Sequence, residues 1–197
     1  MGVNYRSTLL SLVIFLAPLA NALASFPETL DLPTGDSNAA AALRLSKTGE
    51  AERKFLFFSI YKMAHYLALP YEEDVPIHES RQPRAVHLVF QRKISGQRIR
   101  DDFLELLRER TTEDEWRAIR ESAHAYADPF AQGDVSKGDR FELSWTAESG
   151  LVSRFNGEPL SQIKNPRFTC ILWSSWTGPN SVLDREALLG QVLSSSK

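Results

Sequence analysis

The segment from Arg53 to Leu69, RKFLFFSIYKMAHYLAL, constrains the fold more than any other. It is dense in Phe, Tyr and Ile, contains no Gly or Pro, and stops at Pro70. Such a run is a strand pattern, and a chain carrying it must build a sheet to pair it. Its length exceeds that of an ordinary strand, which predicts a bend or bulge inside it.

The other elements follow from period and punctuation. Phe26–Leu32 is a short extended segment next to Pro27 and Pro33, and Ala39–Leu45 is Ala-rich with no clear helix or strand preference. Ala85–Gln91 (AVHLVFQ) reads as a second buried strand. Ser95 can cap a helix over Gly96–Arg110, where Ile99, Phe103, Leu106 and Leu107 recur at helical spacing. Thr112-Glu113-Asp114-Glu115 has the form of a capping box, predicting a helix over Glu113–Ala127 with Trp116, Ile119 and Ala123 as its apolar stripe. The period then changes to two. Phe141, Leu143 and Trp145 alternate with polar residues, Leu151–Phe155 continues after a Ser149-Gly150 turn, and Asn156-Gly157 marks a hairpin returning through Ile163. Asn165-Pro166 opens a last helix that Gly178-Pro179 stops, and a short piece, Leu183–Leu189, follows.

Strands, two helices, a meander and then helices make an α+β fold, an antiparallel sheet covered by helices. At 197 residues one core suffices, and neither a repeat nor a linker divides the chain. Two segments are therefore expected: residues 1–24 as a signal peptide and residues 25–197 as one domain. The signal reading rests on a weakly basic start, the apolar stretch Leu9–Ala20, and small residues at Ala22-Leu23-Ala24. That stretch is shorter than the roughly 20 residues a bilayer span requires, and Pro18 interrupts it. Cleavage after Ala24, a periplasmic or secreted location and no membrane span in the mature chain are the resulting expectations.

Charge and motif inventory remove most function classes. A formal net charge of -2 is unlike a dedicated nucleic-acid binder. The lone cysteine, Cys170, cannot form a disulfide within the chain and reads as a buried, inert thiol. His65, His78, His87 and His124 have no ligand-type spacing, so no metal site is expected, and His65 and His87 read as satisfied strand residues. No phosphate-binding loop, dinucleotide turn or nucleophile elbow occurs, so no cofactor and no catalytic residue is assigned. The helix carboxylates read as a solvated face.

One group stands out: Gly49-Glu50-Ala51-Glu52-Arg53, followed by FLFF, Ile60-Tyr61 and Ala64-His65-Tyr66-Leu67. An arginine beside an aromatic wall suits an amphipathic ligand with an anionic end. The same arginine can equally pair with Glu50 or Glu52 at the surface.

These residues, with KISGQRIRDDFLELL, KGDRFELSW, LVSRFNGEPLSQI and FTCILWSSWTGPNSVLDREALLG, resemble the bacterial chalcone isomerase-like proteins in order over nearly all of Phe26–Gly190. The resemblance implies an open-faced β-sandwich, a large antiparallel sheet under a layer of helices with an apolar cleft between. It also implies a change of function. Where plant chalcone isomerases carry a helix tyrosine and asparagine, this chain has Ile99 and Leu106, and the strand threonine position falls on Tyr61. Without those polar groups a ketone is not polarised for ring closure, so catalysis is not expected. Arg53 and Tyr61 are instead similar to the Arg–Tyr pair with which plastid fatty-acid-binding proteins hold a carboxylate, and Ile99, Phe103 and Leu106 would then line the tail's channel. The expected function is binding of a fatty acid or similar hydrophobic carboxylate or lipid. The alternatives are an intramolecular lyase or isomerase acting on an enone, and a structural protein whose cleft its own side chains fill. A straight strand would hold Arg53 and Tyr61 about 26 Å apart, so they converge only if the chain turns near Lys54–Phe57.

Overall fold

The computed structural model describes residues 26–32, 42–71 and 75–195. Residues 1–24, expected as a signal peptide, and residues 39–41 of the Ala-rich segment lie outside them. Seven strands form one antiparallel sheet in strict sequence order: β1 Thr29–Leu32, β2 Leu43–Phe55, β3 Phe58–Leu67, β4 Arg84–Phe90, β5 Arg140–Thr146, β6 Gly150–Phe155 and β7 Glu158–Ile163. Helices α1 (Gly96–Glu109) and α2 (Glu113–Ala127) form the connection from β4 to β5, while α3 (Pro166–Thr177) and α4 (Arg185–Ser195) follow β7.

The long aromatic run is not one strand. It turns at Leu56-Phe57, so β2 and β3 are a hairpin closed by a two-residue loop with Leu56 at φ 54°. Such loops favour Gly, Asn or Asp, and the sequence carries none of them there, which is why the pattern concealed the turn. Two register shifts, at Thr48 in β2 and at Ile60 in β3, bend the hairpin and help the sheet curl.

All four helices pack on one face. Met63, Leu67, Val86, Leu88, Phe141, Leu143 and Leu151 point into this side and meet Leu107, Ile119, Phe168, Leu172, Trp173, Leu188 and Leu189. A smaller cluster on the opposite face joins Phe26, Leu45, Ala64, Tyr66, Ala85 and Val89. The motif Gly49-x-Ala51-x-Arg53 has the period of a strand, and Ala51 and Arg53 pair across the hairpin with Met63 and Tyr61 on the helix-covered side. Gly49 gives α4 room: a Cβ there would stand 2.1 Å from the Ala187 carbonyl oxygen.

Local signals set the helix ends. In α2 the Thr112 hydroxyl accepts from the Glu115 backbone N–H at 3.3 Å, and the Glu115 carboxylate accepts from the Thr112 N–H at 3.0 Å, completing the capping box. Thr112→Ala is expected to lower stability by about 1 kcal/mol, measured by urea unfolding. Asn165 caps α3 through the Phe168 N–H at 3.1 Å, whereas Ser95 at the start of α1 makes no side-chain cap. The C-terminal piece is a longer helix than its sequence pattern predicts, because its burial depends on β2.

Candidate functional site

Arg53 and Tyr61 are direct cross-strand partners in the β2–β3 hairpin. The turn at Leu56-Phe57 removes the separation that a straight strand would impose, and both side chains rise from the same face toward the helices. Each is half-buried. The Arg53 guanidinium donates to the Val182 carbonyl oxygen in the α3–α4 loop at 2.9 Å. Among the described residues it forms no ion pair: Glu50 pairs with Lys47 at 2.7 Å, and Glu52 pairs with Lys54 at 3.1 Å. The surface-pairing alternative for Arg53 is therefore not what the structure adopts.

Trp176, in the last turn of α3, stands beside the Tyr61 hydroxyl. Burial raises the Tyr61 phenol above its ordinary value, opposed by the nearby Trp176 indole and by the Arg53 charge. The phenol is thus protonated and able to donate. The Tyr61 ring meets Phe90 edge-on at 6.5 Å between centroids. Three groups from β2, β3 and α3 converge at this point, with the α3–α4 loop above them.

On α1, Ile99 and Phe103 pack against the central cluster, and Phe103 lies 5.0 Å from the Tyr126 ring. Tyr126 is buried beside Tyr61, and burial raises its phenol strongly, with Tyr61 adding to the shift. Leu106 is half-buried and stands outside the cluster, which takes Leu104 from the opposite edge of the helix. The structure thus brings Arg53, Tyr61 and Phe103 into one neighbourhood and leaves Leu106 at its margin. Trp176 and Val182 were not anticipated. The spacing of Trp173 and Trp176 carried a signal, since i and i+3 share a helix face.

Trp173, one turn earlier on α3, reaches His65. Its indole N–H donates to His65 Nε2 at 3.3 Å. The His65 proton therefore sits on Nδ1 and points at the Thr48 hydroxyl, 2.8 Å away. Thr48 in turn donates to the Leu188 carbonyl at 2.9 Å. His65 is fully buried, not half-buried as its strand position suggests, and this chain ties α3 to β3, β2 and α4.

Among the described residues, the best-formed cavities lie away from Arg53. One, of about 760 Å³, is an open groove lined by Arg81, Arg84, Arg110, Arg167, Glu115 and Cys170 among others. Arg84 is buried there between the Trp145 and Trp173 rings, at 4.8 and 4.9 Å, and donates to the Ser80 carbonyl. Cys170 is half-buried on the groove wall, where burial raises its thiol, so it is less enclosed than its apolar sequence context implies. The other, of about 230 Å³, lies near His87 and Glu142 on the opposite side of the sheet. Neither cavity is lined by Arg53, Tyr61, Ile99, Phe103 or Leu106. Among the described residues no cluster of His, Cys, Asp and Glu suited to a metal occurs, and no helix is long and apolar enough to cross a membrane.

Comparison with known proteins accords with this architecture. The fold is similar to that of a fatty-acid binding protein from Arabidopsis thaliana, with a TM-score of 0.64 at 14% identity over 87% of this chain and 92% of that one. No curated protein matches the sequence. The family model described as chalcone isomerase-like matches residues 28–190. A match from β1 to the middle of α4, spanning the whole sheet and the hairpin that carries Arg53 and Tyr61, shows that the chain belongs to the chalcone isomerase-like family.

Proposed function

We propose that this chain binds a fatty acid or a similar hydrophobic carboxylate, with Arg53 and Tyr61 at the acid end, and that it does so without catalysis. The observation that carries the reading is a half-buried guanidinium with a neutral carbonyl as its acceptor, facing a phenol across one hairpin. A carboxylate would add two acceptor oxygens to the unused N–H groups of Arg53, and the Tyr61 hydroxyl would donate a further hydrogen bond. The acyl tail would run along Ile99 and Phe103 with Leu106 at the edge, between α1 and the sheet. The Arabidopsis protein of similar fold is a fatty-acid binding protein, which supports the same ligand class.

Ile99 and Leu106 support the absence of catalysis: at the helix positions where the resemblance places the polar groups of plant isomerases, they offer no hydrogen bond to a developing oxyanion. The signal-like pattern of residues 1–24 supports export, and the ligand would then be met in a periplasmic or extracellular space. A filled cleft is the second reading, favoured by the packing of Ile99 and Phe103 directly onto the core.

Native mass spectrometry of the chain purified from its own host, before and after organic extraction, separates the two. Bound acyl mass is expected, and the delipidated chain should take up palmitate. Arg53→Ala is expected to weaken uptake about 10- to 100-fold, the range of a lost charge-assisted contact, and Tyr61→Phe about fivefold. Near-ultraviolet circular dichroism would verify that both variants keep their packing. If neither bound lipid nor palmitate uptake is found, the filled cleft is the correct reading; if Arg53→Ala binds as the parent does, Arg53 does not hold the acid end.

A further inference from the structure

The hairpin that positions Arg53 and Tyr61 ends in a feature the binding site does not use. Phe55, Leu56, Phe57 and Phe58 are 58%, 75%, 96% and 57% exposed, four consecutive large apolar side chains standing in solvent. Among the described residues the other exposed large hydrophobics are Leu69 and Val75, so the apolar surface is concentrated at this tip. Scattered apolar residues on a surface are ordinary; a contiguous group on a projecting loop marks an interaction site. The turn also contradicts its local chemistry. Leu56 sits at φ 54°, where Asn or Gly would be less strained, and neither Leu56 nor Phe57 recovers the cost by packing. A local rule broken with no gain within the fold points to a gain outside it.

Cations surround the base of the tip. Lys54 and Lys62 flank it on β2 and β3, and Arg92 and Lys93 follow β4 alongside. All four are exposed, and the Arg92 guanidinium lies 5.1 Å over the Phe58 ring. The nearby carboxylates are fewer: Glu52 on Lys54 at 3.1 Å, and Asp134 on Lys93 at 3.0 Å.

We propose that the Phe55–Phe58 tip is a membrane-docking wedge, seated in the interface of an anionic lipid bilayer with the cationic collar on the headgroups. A convex two-residue tip presents too little area for a stable protein–protein interface, whereas aromatic side chains partition readily at the acyl–headgroup boundary. Two copies meeting tip to tip would bring like-charged collars together, so the charge favours an anionic surface over a second copy. The proposal does not rest on the fatty-acid reading, since a chain with a filled cleft would dock in the same way.

Vesicle sedimentation of the full chain tests it, using phosphatidylcholine with and without phosphatidylglycerol. Partition is expected onto the mixed vesicles. Leu56→Asn/Phe57→Gly, which supplies the residues this turn favours and removes the apolar tip, should lower it at least about tenfold while keeping the fold. Lys62→Gln and Arg92→Gln should each lower it about fivefold on anionic vesicles alone. Phe57→Trp places a reporter at the tip, and its emission should shift to the blue and be quenched by lipids with brominated acyl chains. The proposal is overturned if the Asn-Gly variant sediments as the parent does, or if the tip tryptophan is not quenched. It is overturned equally if ultracentrifugation finds a dimer that the Asn-Gly variant abolishes while vesicles bind neither form.

Discussion

Gly49→Ala is expected to cost about 3–5 kcal/mol of stability, or to prevent the chain from accumulating, although the change adds a single methyl group. The new Cβ would lie 2.1 Å from the Ala187 carbonyl oxygen and 2.7 Å from that of Leu188. Both neighbours are helix backbone, which cannot rotate aside as a side chain can. Relief requires lifting α4 from β2. Lifting it would break the Thr48 to Leu188 hydrogen bond of 2.9 Å and expose Leu188 and Leu189, both fully buried. Gly190→Ala in the same helix is the control: nothing lies within 4 Å of a Cβ there, so it should be neutral or stabilising by up to about 1 kcal/mol. Urea unfolding of the two variants checks both statements. A Gly49→Ala chain as stable as its parent would show that α4 does not depend on this close approach.

Acidification is expected to destabilise the chain through His65. Burial, with a contribution from the Arg84 charge, holds its imidazole down to about 3. A second proton would have to enter at Nε2, against the Trp173 N–H that already points there. In the unfolded chain the imidazole titrates near the ordinary histidine value of about 6.5. The folded value is depressed, so the contribution to stability is complete above about pH 6.5 and is lost progressively as pH falls toward 3. Each pH unit within that window removes about 1.4 kcal/mol, so about 3 kcal/mol is lost by pH 4. His78 and His87 are also lowered, by burial first, and steepen the slope with the same sign. His65→Leu should be less stable than the parent at pH 7 by about 1–3 kcal/mol, because Trp173 and Thr48 lose their partner. It should then lose less on acidification, so the two stability curves converge toward pH 4. Curves that stay parallel would show that His65 is not the titrating group.

The elements most legible in the sequence were those whose cause is local. Helix α2 runs over Glu113–Ala127 as its pattern predicts because the capping box starts it and Asp128-Pro129 ends it, within one turn at each end. The β6–β7 hairpin turns at Asn156-Gly157, with φ of 51° and 85°, because those residues tolerate the left-handed region. The β2–β3 hairpin was concealed because Leu56-Phe57 is poor turn chemistry, and a reading based on propensity continues the strand through it. With that turn the relation of Arg53 to Tyr61 was concealed too. Leu104 and Leu106 flank the same apolar stripe on α1, and periodicity alone could not say which of the two the core accepts.

The chain's own order of residues was enough to establish an antiparallel sheet under helices and a guanidinium beside an aromatic wall. Those features depend on residue type and on spacings of a few positions, which the chain carries in one dimension. Contacts between residues far apart decided the rest: that Arg53 reaches Val182, that Trp173 aims its indole at His65, and that α4, near the other end of the chain, leaves no room for a side chain at Gly49. Such contacts arise when burying apolar surface brings separate elements to van der Waals distance. No local propensity records which partner will be waiting there.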